Sequence, residues 1–353
     1  MAIKIKYNGA VIASLGAGQT ITLKCAGMKM LSDVVVEADE QGGNDKPSIA
    51  AGLYTDNTYS TMTTSWQELL DAGVVHVDDG VVYTNYDRAE YWANSSSDAL
   101  VGVLVLPDDG SVTKIGNYYQ SEDSGVEAFA VCRNLTGILI PDTVTTICDY
   151  AFLDCSALLS VEIPSSVSGM GKGAFQNCTG LSSVIFDKNS TLESIGESTF
   201  GNCESLPHIE LPNTLACIDP VAFQYCTTLV NIEIPSNVTI LGYGAFMGCH
   251  SLTNIQFGSD NKLHTIEYGA FSECTSMLTI TIPSGVTYIG DEVFTEGTNL
   301  TSLIVMAETP PTVGEYLFAG SENPTEIKVP ASSVDAYKAA DGWSDYADII
   351  VAI

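Results

Sequence analysis

Apolar and polar positions follow a pattern that returns every 23 to 25 residues, as from Phe129 to Phe152 and from Phe175 to Phe200. A typical copy is AFLDCSALLSVEIPSSVSGMGKG, which starts at Ala151. One such unit is too short to bury its own apolar residues, so the units must stack on each other as a solenoid. The phenylalanines that mark the copies are Phe129, Phe152, Phe175, Phe200, Phe223, Phe246, Phe271 and Phe294, with a looser copy at Phe318.

Each unit contains one short strand. Val161 and Ile163 alternate with polar residues, which is the period-two pattern of a half-buried strand. Pro164 follows at once and ends the strand, because proline lacks an N–H donor. Equivalent strands of successive units must run parallel. The sequence therefore predicts a mainly β solenoid of about nine or ten rungs, with one parallel strand per rung.

Two copies are longer because a polar loop replaces the proline corner. They contain IFDKNSTLESIG from Ile185 and IQFGSDNKLHTIEYG from Ile255. The longer copies recur every 71 residues, from Phe129 to Phe200 and on to Phe271. This superperiod indicates that a block of three rungs was duplicated.

Residues 48–100 are predicted to cap the start of the solenoid, and residues 101–330 to form the repeats. In SWQELLDAG, Ser65 is a helix N-cap, Glu68 completes a capping box and Gly73 ends the helix. An insertion, NYYQSEDSGVE, separates an early rung from the first regular copy. That early rung consists of Leu104, Leu106, Pro107, Val112, Ile115 and Gly116.

Residues 331–353 are predicted to cap the other end. Ser332, Asp335 and Gly342 frame a short helix in SVDAYKAADG, and IIVAI adds a final strand. Both caps would cover apolar ends that a solenoid otherwise exposes.

Residues 1–40 do not follow the repeat. The segments IKIKY, AVIASL, TITLKC and LSDVVVEA are predicted strands, and Asn8-Gly9 is a two-residue hairpin turn. Residues 41–47 form a polar linker. The sequence therefore predicts a small β module hinged to the solenoid.

The chain carries a formal charge of −30, with 13 basic and 43 acidic side chains. Such a charge repels phosphate backbones and anionic lipids, so neither nucleic acid nor a membrane surface is an expected partner. The first residues contain no apolar run typical of a secretory signal, and no segment approaches the length of a membrane span. We therefore expect a chain that folds in the cytoplasm, where its cysteines stay reduced.

Seven of the cysteines occupy one repeat position, three residues after each phenylalanine. Zinc needs four converging ligands, whereas this position spreads thiols along a line. Buried thiols that act as small hydrophobic side chains are the favoured interpretation, ahead of occasional disulfides and of a metal site. We predict neither a metal nor a cofactor. The column consists of Cys132, Cys155, Cys178, Cys203, Cys226, Cys249 and Cys274, while Cys25, Cys148 and Cys217 lie outside it.

Two positions of each strand face outward, and in the middle of the sheet they are polar or acidic. Amide and carboxylate groups suit a glycan, and the negative charge suits a basic protein patch; a merely solvated face is the alternative. The residues proposed to bind a ligand are His208, Glu210, Asn231, Glu233, Asn254 and Gln256. Neighbouring columns hold Ser160 with Glu162, Ser183 with Ile185, and Thr279 with Thr281.

An enzyme is not expected. Glu210 and Glu233 would lie on adjacent rungs at a separation near that of retaining glycosidases, but any stacked glutamate produces this spacing. The four histidines, His76, His208, His250 and His264, show no metal-binding spacing, and no nucleophile or phosphate-loop motif is present.

Aromatic residues outside the repeat are further contact candidates. The segment YTNYDRAEYW contains Tyr86, Tyr91 and Trp92, and the insertion contains Tyr118 and Tyr119. Exposed aromatic rings in loops often contact partners, although packing over the first rung explains them equally.

The motif LxxIxIPxxVTxIGxxAFxxCxx resembles the BspA-type leucine-rich repeats of bacterial surface proteins and prophages. The ending VPASSVDAYKAADGWSDYADIIVAI is similar to the C-terminal cap of that family, and the opening IKYNGAVIASLGAGQTITLKCAGMKMLSDVVVE resembles a module at the start of phage structural proteins. The resemblance implies adhesion without catalysis. It implies a phage tail or fibre-like protein, bound to other virion proteins through residues 1–40 and to a host-surface glycan or protein through the solenoid. A bacterial cell-surface adhesin, a decoration protein and a homo-oligomer are the alternatives.

Overall fold

The computed structural model describes residues 3–7, 10–15, 34–38, 49–55, 58–72, 74–84, 99–116, 128–297 and 299–353. The chain divides into two compact units, residues 1–48 and 49–353. The first contains an antiparallel sheet in the order β2-β1-β3. Tyr7 pairs with Ala10 across the predicted hairpin. Its strands are β1 (Ile3–Tyr7), β2 (Ala10–Leu15) and β3 (Val34–Ala38). The predicted strand TITLKC lies outside the described residues.

The second unit is a parallel β-solenoid of about nine turns, as the repeat predicted. One side of it is built from the strands of the IxIP segments, here called the long-strand side. Its parallel strands are β8 (Gly102–Val105), β10 (Leu135–Leu139), β12 (Ser160–Ile163), β14 (Ser183–Phe186), β17 (Asn231–Ile234), β19 (Asn254–Phe257), β21 (Thr279–Ile282), β23 (Ser302–Val305), β25 (Glu326–Val329) and β26 (Ile350–Ala352).

The expectation of one strand per rung is wrong, because most rungs contain a second, two-residue strand. In Thr146–Ile147, for example, Ile147 is fully buried and both residues pair in parallel with the rungs on either side. The alternation in these segments is too short to be detected as a strand in the sequence. They are β9 (Lys114–Ile115), β11 (Thr146–Ile147), β13 (Gly169–Met170), β15 (Ser194–Ile195), β16 (Cys217–Ile218), β18 (Ile240–Leu241), β20 (Thr265–Ile266), β22 (Tyr288–Ile289) and β24 (Thr312–Val313).

The core is a continuous column of stacked phenylalanine rings from Phe129 to Phe318. Neighbouring ring centroids are 5.1 to 5.9 Å apart, and the rings are nearly parallel. The ring of Tyr346 packs edge-on against Phe318 at 5.2 Å. Stacking at this repeat position ties each rung to the next, which a single unit could not achieve alone.

The turns that carry phenylalanine use left-handed backbone at two positions per rung. Tyr150 has φ 55° and Asp154 has φ 59°, on either side of Phe152. The N–H groups of all three residues donate to carbonyls of the next rung at 2.8 to 2.9 Å. The alternating conformation turns these three donors in one direction, so the third side of the solenoid is also hydrogen-bonded between rungs. The sequence did not indicate this, because few of the positions hold glycine.

The N-terminal cap has the predicted helix. Helix α1 (Trp66–Asp71) begins after Ser65, whose side chain accepts from Glu68 N while Glu68 accepts from Ser65 N. Gly73 lies outside the described residues. The cap also contains β4 (Gly52–Tyr54), β5 (Met62–Ser65), β6 (His76–Asp78) and β7 (Val81–Tyr83). Strand β4 pairs antiparallel with β8, so the cap continues the sheet at its first edge.

The C-terminal helix differs in its start and end from the sequence prediction. A 3-10 turn (Ala331–Ser333) comes first, and α2 (Val334–Ala339) begins after Ser333, not after Ser332. Ser333 does not cap the helix, because its hydroxyl donates to Glu308 O at 2.7 Å. A second 3-10 segment (Ser344–Ile349) follows, and β26 pairs in parallel with β25, which confirms the predicted final strand.

Candidate binding face

The six polar residues predicted to bind a ligand lie together on the outer surface of three successive rungs; we call them the polar ladder. The register of β17 and β19 places Asn231 beside Asn254 and Glu233 beside Gln256. His208 pairs with Asn231 through an isolated parallel bridge. All six side chains are exposed. The arrangement follows from period-two alternation in parallel strands of equal register. Whether it binds a ligand is a separate question, taken up below.

Within the polar ladder, His208 joins two rungs. Its Nδ1 lies 2.8 Å from Asn231 Oδ1, so the tautomer that protonates Nδ1 donates to the amide oxygen. Its Nε2 lies 3.8 Å from Glu210 Oε1. The side chain of Glu210 is 92% exposed. His208 thus orients the Asn231 amide, while the carboxylate stays accessible from solvent.

A groove of about 370 Å³ opens beside the polar ladder, between β14 and residues 207–210. Its lining includes Ile185, Phe186, His208 and Glu210. Strand β14 is the last strand of its sheet.

The cause of the groove is Pro207. At the equivalent position of other rungs, the backbone N–H donates to the preceding rung, as from Val230 to Pro207 O and from Ser182 to Leu159 O, both at 3.0 Å. Proline cannot donate in this way, so the carbonyl of Ser182 receives no such bond and the sheet is interrupted. The sequence analysis missed the groove, although Pro207 stands one position before the outward residue His208.

Exposed aliphatic side chains flank the polar ladder. They were not expected, because the outward columns in this region were predicted to be polar and acidic. Val230 directly precedes Asn231, and Ile185 lines the groove. These side chains give the face apolar contact area beside its polar groups. The exposed fractions are 53% for Leu159, 53% for Ile185, 41% for Val230 and 56% for Leu278.

The cysteine column contributes to the core and not to the outer face. Each thiol is fully buried and donates to the backbone carbonyl of the phenylalanine in the preceding rung, at 3.0 to 3.4 Å. Burial raises the pKa of Cys226 to about 12. These cysteines are unpaired with each other as disulfides. The prediction of small buried thiols is confirmed, and the S–H···O bonds are an addition to it.

Other candidates add nothing to this site. Tyr86, Tyr91 and Trp92 lie outside the described residues, as do Tyr118, Tyr119 and Cys25. Among the described residues, no group of three or more His, Cys, Asp and Glu could hold a metal ion. The same part of the chain contains no helix long and apolar enough to cross a bilayer.

A family profile described as a BspA type leucine rich repeat region matches residues 122–253 and 217–340, in six copies. No curated protein matches the chain significantly. Three solved structures share the repeat architecture. A leucine rich cell surface protein from Faecalibacterium prausnitzii has 21% identity and a TM-score of 0.45, with 74% of this chain and 71% of that chain covered. A T. pallidum leucine rich repeat protein has 24% identity and a TM-score of 0.35, with 62% and 72% covered. A leucine-rich repeat protein from Bacteroides ovatus has 20% identity and a TM-score of 0.30, with 79% and 98% covered.

Proposed function

The chain belongs to the BspA-type leucine-rich repeat family, and from that premise we propose that it is a non-enzymatic adhesion protein. Its binding surface is the polar ladder together with the groove beside it. The observation that carries the proposal is the combination on one rigid face of exposed amide and carboxylate groups with exposed aliphatic side chains. A preformed surface of this kind loses little conformational entropy on binding.

Catalysis is not part of the proposal. Glu210 and Glu233 lie on adjacent rungs, but the Glu210 side chain is 92% exposed. A glycosidase depends on carboxyl groups held in a site that raises the pKa of one of them, and an open face provides no such environment.

We place the protein in a phage virion, as a tail or fibre-like component assembled in the bacterial cytoplasm. Residues 1–40 would attach it to other virion proteins, and the solenoid would meet a glycan or protein on the host surface. The resemblance of residues 7–37 to phage structural proteins supports this location. Several copies on one particle would multiply weak contacts. The alternatives are an adhesin on the bacterial cell surface and a structural decoration protein.

The location can be tested with an antibody against the full chain. Detection in purified virions supports the phage role, whereas detection on washed cells with none in virions supports the cell-surface adhesin. A decoration protein would be indicated if virions without residues 48–353 adsorbed to the host as well as the parent.

The binding face can be tested by a matched pair of double variants of the full chain. Asn231→Ala with Glu233→Ala removes the centre of the polar ladder, and Asn213→Ala with Glu193→Ala makes the same chemical change at exposed residues outside it. Fluorescently labelled protein is applied to a glycan array and to a panel of intact bacteria. We expect the first variant to bind about tenfold more weakly than the second. Equal binding by the two variants would contradict the proposed surface.

A further inference from the structure

A second hollow lies on the long-strand side, near the N-terminal end of the solenoid. The outward residues of β8 are Val103 and Val105, and both are buried. They form a small apolar cluster with Tyr54, against which Ile49 and Tyr59 pack. The N-terminal cap thus covers the outer surface of the first rung, and the exposed face begins at its border.

The hollow lies at that border and has a volume of about 490 Å³. Gly137 occupies the outward position of β10 and leaves space where other rungs carry a side chain. A Cβ on Gly137 would lie 3.3 Å from Val103 Cγ2. Leu139 and Leu159 form apolar walls, and Tyr59 and Glu162 complete the lining together with Thr55, Thr136 and Ser160. The hollow therefore offers an apolar floor and sides with one carboxylate.

The aromatic wall is held in place. The ring of Tyr59 packs edge-on against Tyr54, with 5.7 Å between centroids and 86° between planes. The hydroxyl of Tyr54 in turn donates to Ala50 O at 2.7 Å. The Tyr59 ring is therefore fixed against the buried Tyr54, and the hollow exists before a ligand arrives.

The electrostatics of the hollow are negative. Glu162 is the single charged side chain that lines it, and no hydrogen bond or ion pair holds this carboxylate among the described residues. Burial and the charge of Glu162 raise the pKa of Tyr59, so its hydroxyl stays neutral at physiological pH. The net charge of −30 adds to the negative potential.

We infer that this hollow binds a basic side chain, lysine or arginine, of a partner protein. The methylene groups pack against Leu139 and Leu159, while the cation meets the ring of Tyr59 and the carboxylate of Glu162. Long basic side chains combine an apolar stem with a charged head, and aromatic rings attract cations. A neutral sugar would use the hydroxyls of Thr136 and Ser160 but gains less from an unpaired carboxylate. The inference rests on the proposed adhesive role and adds a second contact point to it.

The test uses small ligands and the full chain, so it does not depend on the host receptor. Nα-acetyl-lysine amide and its uncharged analogue Nα-acetyl-norleucine amide are titrated separately, and methyl resonances of Val103, Leu139 and Leu159 are followed by NMR. We expect the lysine ligand to shift these resonances at about tenfold lower concentration than the norleucine ligand. Equal affinities, or stronger shifts with methyl glucoside, would overturn the inference.

Two variants locate the effect. Glu162→Gln should weaken the lysine ligand about tenfold and leave the norleucine ligand unchanged, whereas Glu193→Gln, which makes the same charge change at an exposed residue elsewhere, should alter neither. Gly137→Val should fill the floor and weaken both ligands. An unaltered lysine affinity in Glu162→Gln would contradict the proposed site. If the lysine ligand fails while parent protein still binds cells, this inference falls and the proposed function stands.

Discussion

The ring of Tyr225 lies over Gly248 of the next rung, in the space that a Cβ on residue 248 would occupy. Such a Cβ would be 2.2 Å from Tyr225 Cδ1. The Tyr225 hydroxyl extends one rung further and donates to Glu273 Oε1 at 3.4 Å. Three rungs are thus connected by one side chain, because the middle one contributes glycine.

Gly248→Ala should therefore destabilise the protein by about 2 kcal/mol or more, as measured by chemical denaturation. The backbone of Gly248 is left-handed, with φ 73°, and the new methyl group also displaces the tyrosine ring. Gly110→Ala is the control, since Gly110 has φ 83° and no atom lies within 4 Å of the added Cβ. It should lose only the conformational part, about 1 kcal/mol. Equal losses in the two variants would show that the ring contact is unimportant.

Val221→Gly should raise the free energy of unfolding by about 1 kcal/mol. Val221 has φ 51°, a conformation that a β-branched residue adopts only with strain. The matched change Val230→Gly is made at a residue without positive φ and should destabilise instead, by about 0.5 to 1 kcal/mol. A loss of stability in Val221→Gly as large as that in Val230→Gly would mean that the left-handed turn stores no strain at this position.

Cys226→Ala should cost about 1 kcal/mol or more of folding stability and leave binding to cells unchanged. The thiol is fully buried and donates to Phe200 O at 3.1 Å, so alanine leaves both a small void and an unpaired carbonyl. Cys226→Ser keeps a donor at this position and should recover part of the loss. Impaired binding by a folded Cys226→Ala protein would place the thiol in the function.

The same thiol makes stability depend on pH above 9. Burial raises the pKa of Cys226 to about 12, from the reference value of 9.0 that applies to the unfolded chain. The unfolded state then loses its proton first, so the stabilisation is complete below pH 9 and is lost as the pH rises toward 12. Denaturation curves at pH 8 to 11 should show a slope shallower by about 1.4 kcal/mol per pH unit in Cys226→Ala than in the parent. Identical slopes would contradict the raised pKa.

Pro207→Thr should close the groove beside the polar ladder. Threonine occupies the equivalent position in other rungs, where Thr253 N donates to Val230 O at 3.0 Å. The new N–H can donate to Ser182 O and extend the sheet beyond β14. Hydrogen exchange at residue 207 should then be as slow as at Thr253. Fast exchange there would show that proline is not the reason for the interruption.

Sequence reasoning recovered the features that depend on spacing. Equal intervals between Phe129 and its successors fixed the stacking column, and period-two alternation placed Asn231, Glu233 and their neighbours on one outer face. Both follow because parallel rungs of equal length bring equivalent residues together.

The features it missed depend on backbone conformation or on contacts between distant residues. Val221 gives no sign of a left-handed turn, since the residue type disfavours that conformation. Pro207 has its effect only once the register with Ser182 is known. The hollow between Tyr59 and Glu162 requires the path of the cap across the first rungs, which no periodicity encodes.

Every rung donates its thiol, its turn N–H groups and its strand N–H groups to a neighbour through the same repeat positions, as Cys226 does to Phe200. A junction between any two rungs is therefore chemically equivalent to the others. A gene that gains or loses one block of 71 residues would still encode matching junctions and intact caps. The length of the protein, and so the distance it spans between its two ends, can change in steps of three rungs without any new contact having to evolve.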